Sequence, residues 1–265
     1  MEIKTTTDFL EAKRSRKRIT VLTCYDFWSA RLLAETPVDC LLVGDSAAMV
    51  MHGHTTTIPA TVEMMAAHVE AVRRGAPGKF LTADMPFLSA RTGAGDAVRA
   101  AGTLLRAGAQ AVKVEGVVGH NDVIQHLVES GIPVMGHLGL TPQSVHRLGG
   151  YRVQGKTNEQ AEAVERQARE LEEAGCFAIV LECIPMGLSA RVTSELTIPT
   201  IGIGAGIDCD GQVLVLQDML GLSSMAKPRF VREYLDGERL IRDAVNRYCR
   251  DVEKGEFPSE TESYR

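Results

Sequence analysis

Aromatic residues are scarce in this chain, 5% of 265 positions with a single tryptophan. That leaves little material for the stacked platforms that hold single-stranded nucleic acid. Positive charge is not in excess either: lysine and arginine total 29 against 34 aspartate and glutamate, a net charge of -5, so no basic field gathers nucleic acid. No uninterrupted apolar run approaches the ~20 residues of a membrane span. Met1 to Thr20 contains no apolar signal-peptide core. The six cysteines, at 24, 40, 176, 183, 209 and 249, have neither metal-knuckle spacing nor the density of a disulfide scaffold. The expectation is a soluble cytoplasmic protein with reduced thiols, no membrane contact and no nucleic-acid partner, acting on small molecules.

What is present is a recurring unit. With 45% hydrophobic residues the chain can bury one large core. A single domain over residues 1–265 is expected, with a short N-terminal helix around Asp8 to Lys13 and a polar C-terminal tail. Leu41-Leu42-Val43 is apolar on both parities, which reads as a strand buried on both faces, and it stops at Gly44-Asp45-Ser46. Similar runs predict strands over Ile19 to Thr23, Phe80 to Ala83, Ala111 to Val114, Ile132 to Gly136, Phe177 to Leu181, Pro199 to Gly202 and Val213 to Leu216. Between them, helical spacing predicts helices over Thr61 to Arg74, stopped by Gly75, over Gly95 to Ala107, stopped by Gly108, and from an Asn158 cap to Gly175. Eight such strands separated mostly by helices predict a (β/α)8 TIM barrel, with an open doubly wound sheet as the alternative. The basic run Arg14 to Arg18 reads as a solvated charged face.

The strand ends carry the chemistry. Asp45, Asp84, Glu115, His137 and Glu182 follow successive strands, and a closed barrel brings them to one rim. Crowded carboxylates repel, and a hard divalent cation with oxygen ligands, Mg²⁺ before Zn²⁺, relieves that repulsion, with Asp45, Asp84 and Glu115 as ligands. Lys113 shares the parity of Glu115, and on the barrel's inner side it requires an anionic partner such as a substrate carboxylate or an enolate oxygen. Ser46 can donate to a substrate carboxylate or cap the next turn, and His137 can donate to a bound oxygen. His52 and His54 lack a third ligand nearby and read as a plain loop. Gly202-Ile203-Gly204-Ala205-Gly206 lacks the spacing of a dinucleotide loop and reads as a tight turn, and Cys183 as packing.

Several segments together resemble the ketopantoate hydroxymethyltransferase family: Val43 to Ser46, Asp84 to Phe87, Val112 to Gly116, Gly136 to Gln143, Gly149 to Gly155, Leu181 to Cys183 and Gly202 to Gly206, within a match running from about residue 20 to Pro258. The resemblance implies a barrel of the phosphoenolpyruvate and pyruvate superfamily, one Mg²⁺ per subunit and a homodecamer. It implies transfer of a hydroxymethyl group from 5,10-methylenetetrahydrofolate to 3-methyl-2-oxobutanoate. The product would be 2-dehydropantoate, in pantothenate and coenzyme A biosynthesis. By position, Asp45, Asp84 and Glu115 would form the metal site, directly or through water. Asp45, Ser46, Asp84, Lys113 and His137 would contact the 2-oxo acid, and Glu182 would be the catalytic base. Ala47-Ala48 departs slightly from the family pattern, and the tail from Glu260 onward diverges. The lyases and phosphonomutases of that superfamily usually employ a loop cysteine, which Val117 to Asn121 and His137 to Ser144 lack. A non-catalytic metabolite-binding barrel is the reading from another class.

Overall fold

Strand residues here are apolar at nearly every position because both sides of each strand are covered. The computed structural model describes residues 2–223 and 227–264. Its strands are β1 (Ile19–Thr23), β2 (Cys40–Val43), β3 (Phe80–Asp84), β4 (Ala111–Glu115), β5 (Val134–Gly139), β6 (Ala178–Glu182), β7 (Thr200–Ile203) and β8 (Gly211–Leu214). They pair in parallel in sequence order, and β8 pairs with β1 to close the barrel. The closed sheet excludes the doubly wound alternative. β8 lies two residues earlier than the apolar run suggests, because Gly211 packs against Ile19 and Ile201 where a Cβ would clash at 2.5–2.8 Å.

The helices are α1 (Thr6–Arg14), α2 (Phe27–Ala34), α3 (Ala47–Val50), α4 (Val62–Gly75), α5 (Ala94–Ala107), α6 (Asn121–Glu129), α7 (Val145–Leu148), α8 (Asn158–Glu173), α9 (Met186–Glu195), α10 (Leu216–Met219) and α11 (Gly237–Glu253). None among the described residues is long and apolar enough to cross a membrane. Thr157, rather than Asn158, caps α8 by accepting from the Gln160 amide. Gly75 is needed for approach more than for termination: a Cβ there would lie 2.5 Å from the Phe27 carbonyl oxygen and 2.7 Å from the Ala30 Cβ on α2.

One parity of each strand fills the barrel. Ile19, Val21, Cys40, Leu42, Phe80, Ala111, Met135, Ala178, Val180, Ile201 and Val213 form one buried cluster with Ile3, Phe9 and Ala12. Phe9 of α1 meets the Phe80 and Phe177 rings edge-on, each at 5.1 Å between centroids, and closes the end where the strands begin. Lys13 secures α1 there, donating to the Thr193 and Ile198 carbonyls and pairing with Asp210 at 3.0 Å. The basic run is accordingly more than a solvated face, since Lys17 pairs with Asp39 and Arg18 donates to the Cys209 carbonyl. Continued toward the other end, the same parity carries Asp84, Lys113, Glu115, His137 and Glu182. The apolar plug thus fixes which residues face the mouth.

The chain divides into two compact units, one running to Val215 and the other starting at Leu216. The second is built around α11, where Tyr248 packs edge-on to Phe257 at 5.6 Å.

Candidate active site

Parallel pairing puts Asp84 beside Lys113, Glu115 beside His137, and Gly139 beside Glu182, so the charged residues of four adjacent strands become lateral neighbours. Lys113 Nζ lies 2.9 Å from Asp84 Oδ1 and 3.2 Å from His137 Nδ1. His137 in turn sits 3.1 Å from Glu182 through Nε2 and 3.5 Å from Glu115 through Nδ1. Asp45, Asp84, Lys113, Glu115 and His137 are all at most 6% exposed. Asp84 Oδ2 accepts from the Asp45 amide at 3.0 Å, which fixes the turn after β2. That turn requires Gly44, whose Cβ would lie 2.7 Å from Ser46 Oγ.

Two residues without an assigned role in the sequence complete the set. Gln143, in the loop after β5, donates its side-chain amide to Asp45 at 2.8 Å and to the Met85 carbonyl at 2.9 Å. Its backbone amide donates to Glu115 at 3.0 Å. Tyr25, fully buried after β1, shares a 2.8 Å hydrogen bond with Ser46, so Ser46 is held by a phenol and makes no side-chain cap on α3. Gln143 stands inside a segment that carries the family resemblance, which is the signal available for it in the sequence. Tyr25 has none.

The charges set one another's protonation. Burial, reinforced by Asp84 and Glu115, raises the Asp45 carboxyl well above its ordinary range. Burial alone would lower Lys113, but Asp84, Glu115 and Asp45 outweigh it and raise its pKa, so it stays cationic. For Glu115, burial is overcome by His137, Lys113 and the Gln143 amide, which hold it below its usual value. His137 is opposed by burial and by Lys113, yet Glu115 and Glu182 bring it up to about 9.

The donor chemistry fits a hard cation. Asp84 Oδ1 and Glu115 Oε1 are buried oxygens with no directed hydrogen-bond donor, Lys113 and His137 meeting them at ion-pair distance without hydrogen-bond geometry. Among the described residues no three His, Cys, Asp or Glu side chains form a closed metal cage. Mg²⁺ does not need one, since it typically takes one or two carboxylates and completes its shell with water and substrate oxygens.

The remaining candidates lie apart from this chemistry. His52 pairs with His68 at 2.9 Å, not with His54, and His68 also bonds the Tyr25 carbonyl. Burial, then Glu182, pushes the Cys183 thiol up to about 12, which suits packing and not nucleophilic attack. Gly204 and Gly206 have positive φ, and a Cβ on Gly206 would lie 2.6 Å from Met186, so the glycine run is a tight turn.

Comparison with known proteins bears on the fold and the family. The chain is similar to solved barrels: a phosphonopyruvate hydrolase crystallised with oxalate and Mg²⁺ (TM-score 0.64, 12% identity, 98% of this chain and 93% of that one). A second is a 2,3-dimethylmalate lyase of the phosphoenolpyruvate mutase and isocitrate lyase superfamily (TM-score 0.62, 18% identity, 93% and 88%). At such identities the likeness bears on the fold alone. Closer in sequence are proteins named 3-methyl-2-oxobutanoate hydroxymethyltransferase. The one from Bdellovibrio bacteriovorus is 52% identical over 99% of this chain and 100% of that protein. The one from Coxiella burnetii is 51% identical over 98% of each. The sequence profile described as ketopantoate hydroxymethyltransferase matches residues 3–260, and with identity of this order across nearly the full length, the chain belongs to the ketopantoate hydroxymethyltransferase family.

Proposed function

We propose that this protein transfers a hydroxymethyl group from 5,10-methylenetetrahydrofolate to 3-methyl-2-oxobutanoate, giving 2-dehydropantoate. Beyond family membership, the observation that carries this reading is the placement of Glu182. Its side chain is 16% exposed while the neighbouring Glu115 and Asp84 side chains are 4% exposed, so it is a carboxylate that a substrate can reach beside a buried, cation-ready cluster. Asp45, Asp84 and Glu115 would hold Mg²⁺, directly or through water. The bound ion supplies Lewis-acid polarisation of the 2-oxo acid, which acidifies the hydrogen on C3.

The protein's own residues then do the rest. Glu182 removes the C3 proton as general base. His137, 3.1 Å away, orients that carboxylate. Lys113 supplies a fixed positive charge to offset the negative charge developing on the enolate oxygen, and Ser46 positions the substrate carboxylate. Water adds to the methylene bridge, both of its C–N bonds break with the two nitrogens taking the protons of that water, tetrahydrofolate departs, and C3 bonds to the released formaldehyde carbon while its oxygen takes up the proton held by Glu182. The same reading carries a cytoplasmic location and a homodecamer, which light scattering tests.

Deuterium exchange at C3 of 3-methyl-2-oxobutanoate in D₂O tests the chemistry without the folate. Exchange is expected to require Mg²⁺ and to fall about 10²- to 10⁴-fold in Glu182→Gln, the usual contribution of a general base. Exchange at the unaltered rate in that variant removes Glu182 from the mechanism.

A further inference from the structure

Beside the acid cluster, the barrel mouth opens into a cavity of about 320 Å³ whose walls include Arg91, Arg147, Thr141, Ser144, Gln167 and Glu115. A second cavity of about 190 Å³ adjoins it, sharing Thr141, Arg147 and Gln167. Small-molecule sites begin at roughly this size. Glu115 belongs to both the cavity wall and the candidate metal site, so a molecule in the cavity abuts the reaction centre.

Two guanidinium groups face this space. Arg91, in the loop after β3, is anchored by donating to the Glu115 carbonyl at 3.2 Å and the Val118 carbonyl at 3.1 Å, leaving N–H groups free. Arg147 projects from α7 close enough to Arg91 to oppose its charge. Among the described residues neither arginine forms an ion pair with a carboxylate, and the Glu115 carboxylate is already engaged by His137 and Gln143. Arg91 feels the charge of Glu115 as well as that of Arg147, and since neither guanidinium has a carboxylate at ion-pair distance, an anion entering the cavity would relieve the repulsion between them. Arginine forks match carboxylates in geometry as well as charge.

We propose that this cavity receives the carboxylates at the far end of the second substrate, with Arg91 and Arg147 as their ligands, so that the folate's one-carbon end is directed toward Glu115 and the C3 carbon. The proposal rests on the function given above. The polar walls of Thr141, Ser144 and Gln167, with Val117 and Val118 beside them, suit the linker of such a molecule.

Equilibrium dialysis of tetrahydrofolate and of tetrahydropteroate, which lacks the glutamyl carboxylates, tests it without turnover. The unaltered protein should prefer tetrahydrofolate by about tenfold, a screened two-arginine contact. In the Arg91→Gln/Arg147→Gln protein, checked for unaltered melting, that preference should fall to about one while tetrahydropteroate affinity holds. A preference that survives the double substitution, or equal binding of the two compounds by the unaltered protein, overturns the assignment. Absence of C3 exchange in the unaltered protein would instead overturn the function itself, so the two failures are told apart.

Discussion

Replacing Lys113 by methionine removes a cation from among three buried carboxylates. At 2.9 Å from Asp84, and with an effective dielectric constant near 20, that one pair is worth about 6 kcal/mol before desolvation is counted. Removing one partner of a buried pair typically costs about 3–5 kcal/mol, because the other is left uncompensated. For a chain of this size roughly 2–4 °C of Tm accompanies each kcal/mol, so Lys113→Met should melt about 6–20 °C lower at pH 8. The pH dependence has a definite sign. Lys113 has a raised folded pKa, so its contribution is fully present at neutral pH and lost only on alkaline titration. In the variant, Glu115 and Asp45 lose the Lys113 charge that favours their ionised forms, so their folded pKa values rise. A carboxylate whose folded value lies above its unfolded one opposes folding fully above the folded value, less as pH falls through it, and not at all below the unfolded value. The Tm deficit should therefore shrink between pH 8 and pH 5, measured by calorimetry without divalent ions. A deficit that is absent at pH 8, or larger at pH 5, refutes the account of Lys113 as counter-charge to the cluster.

Gln143→Ala should weaken Mg²⁺ dependence of C3 exchange about 10- to 100-fold, as loss of a hydrogen bond to a metal-holding carboxylate does, with little change in melting; unchanged Mg²⁺ dependence would dissociate Gln143 from the metal site. Gly75→Ala should destabilise by about 1–3 kcal/mol through overpacking of α4 on α2, read as a lower Tm, and a variant as stable as the unaltered protein would show that the two helices separate without cost.

The recurrence of short runs apolar on both parities, each ending at a charged or polar residue, makes the barrel and most of the rim legible in the sequence. Lys113 and Glu115, two apart, face the same interior because a strand repeats every second residue, and Phe80 and Ala178 at the closed end fix the phase for Asp84 and Glu182. Residues whose role depends on loop path were not legible. Gln143 reaches Asp45 only because the turn at Pro142–Ser144 folds it back over the mouth, and no periodicity encodes that. Helix α9 (MGLSARVTSE) has little signal in the sequence, since its glycine, serine, threonine and valine are weak helix formers and its identity is settled by packing of Leu188 and Val192. Gly75 reads as a helix stop in the sequence because that local role and its contact with Phe27 leave the same letter there.

The aromatic seal of Phe9, Phe80 and Phe177 has an electrical consequence for the opposite end. Below the acid cluster lies a column of apolar side chains with low polarisability, and above it lies water. Field lines from the charges of the cluster are displaced away from the plug and concentrated through the mouth, so a charged ligand entering there meets them less screened than on an open surface. Contacts made with charged ligands at the depth of the cluster should accordingly weaken less with added monovalent salt than those made by the exposed ion pairs of the outer helices.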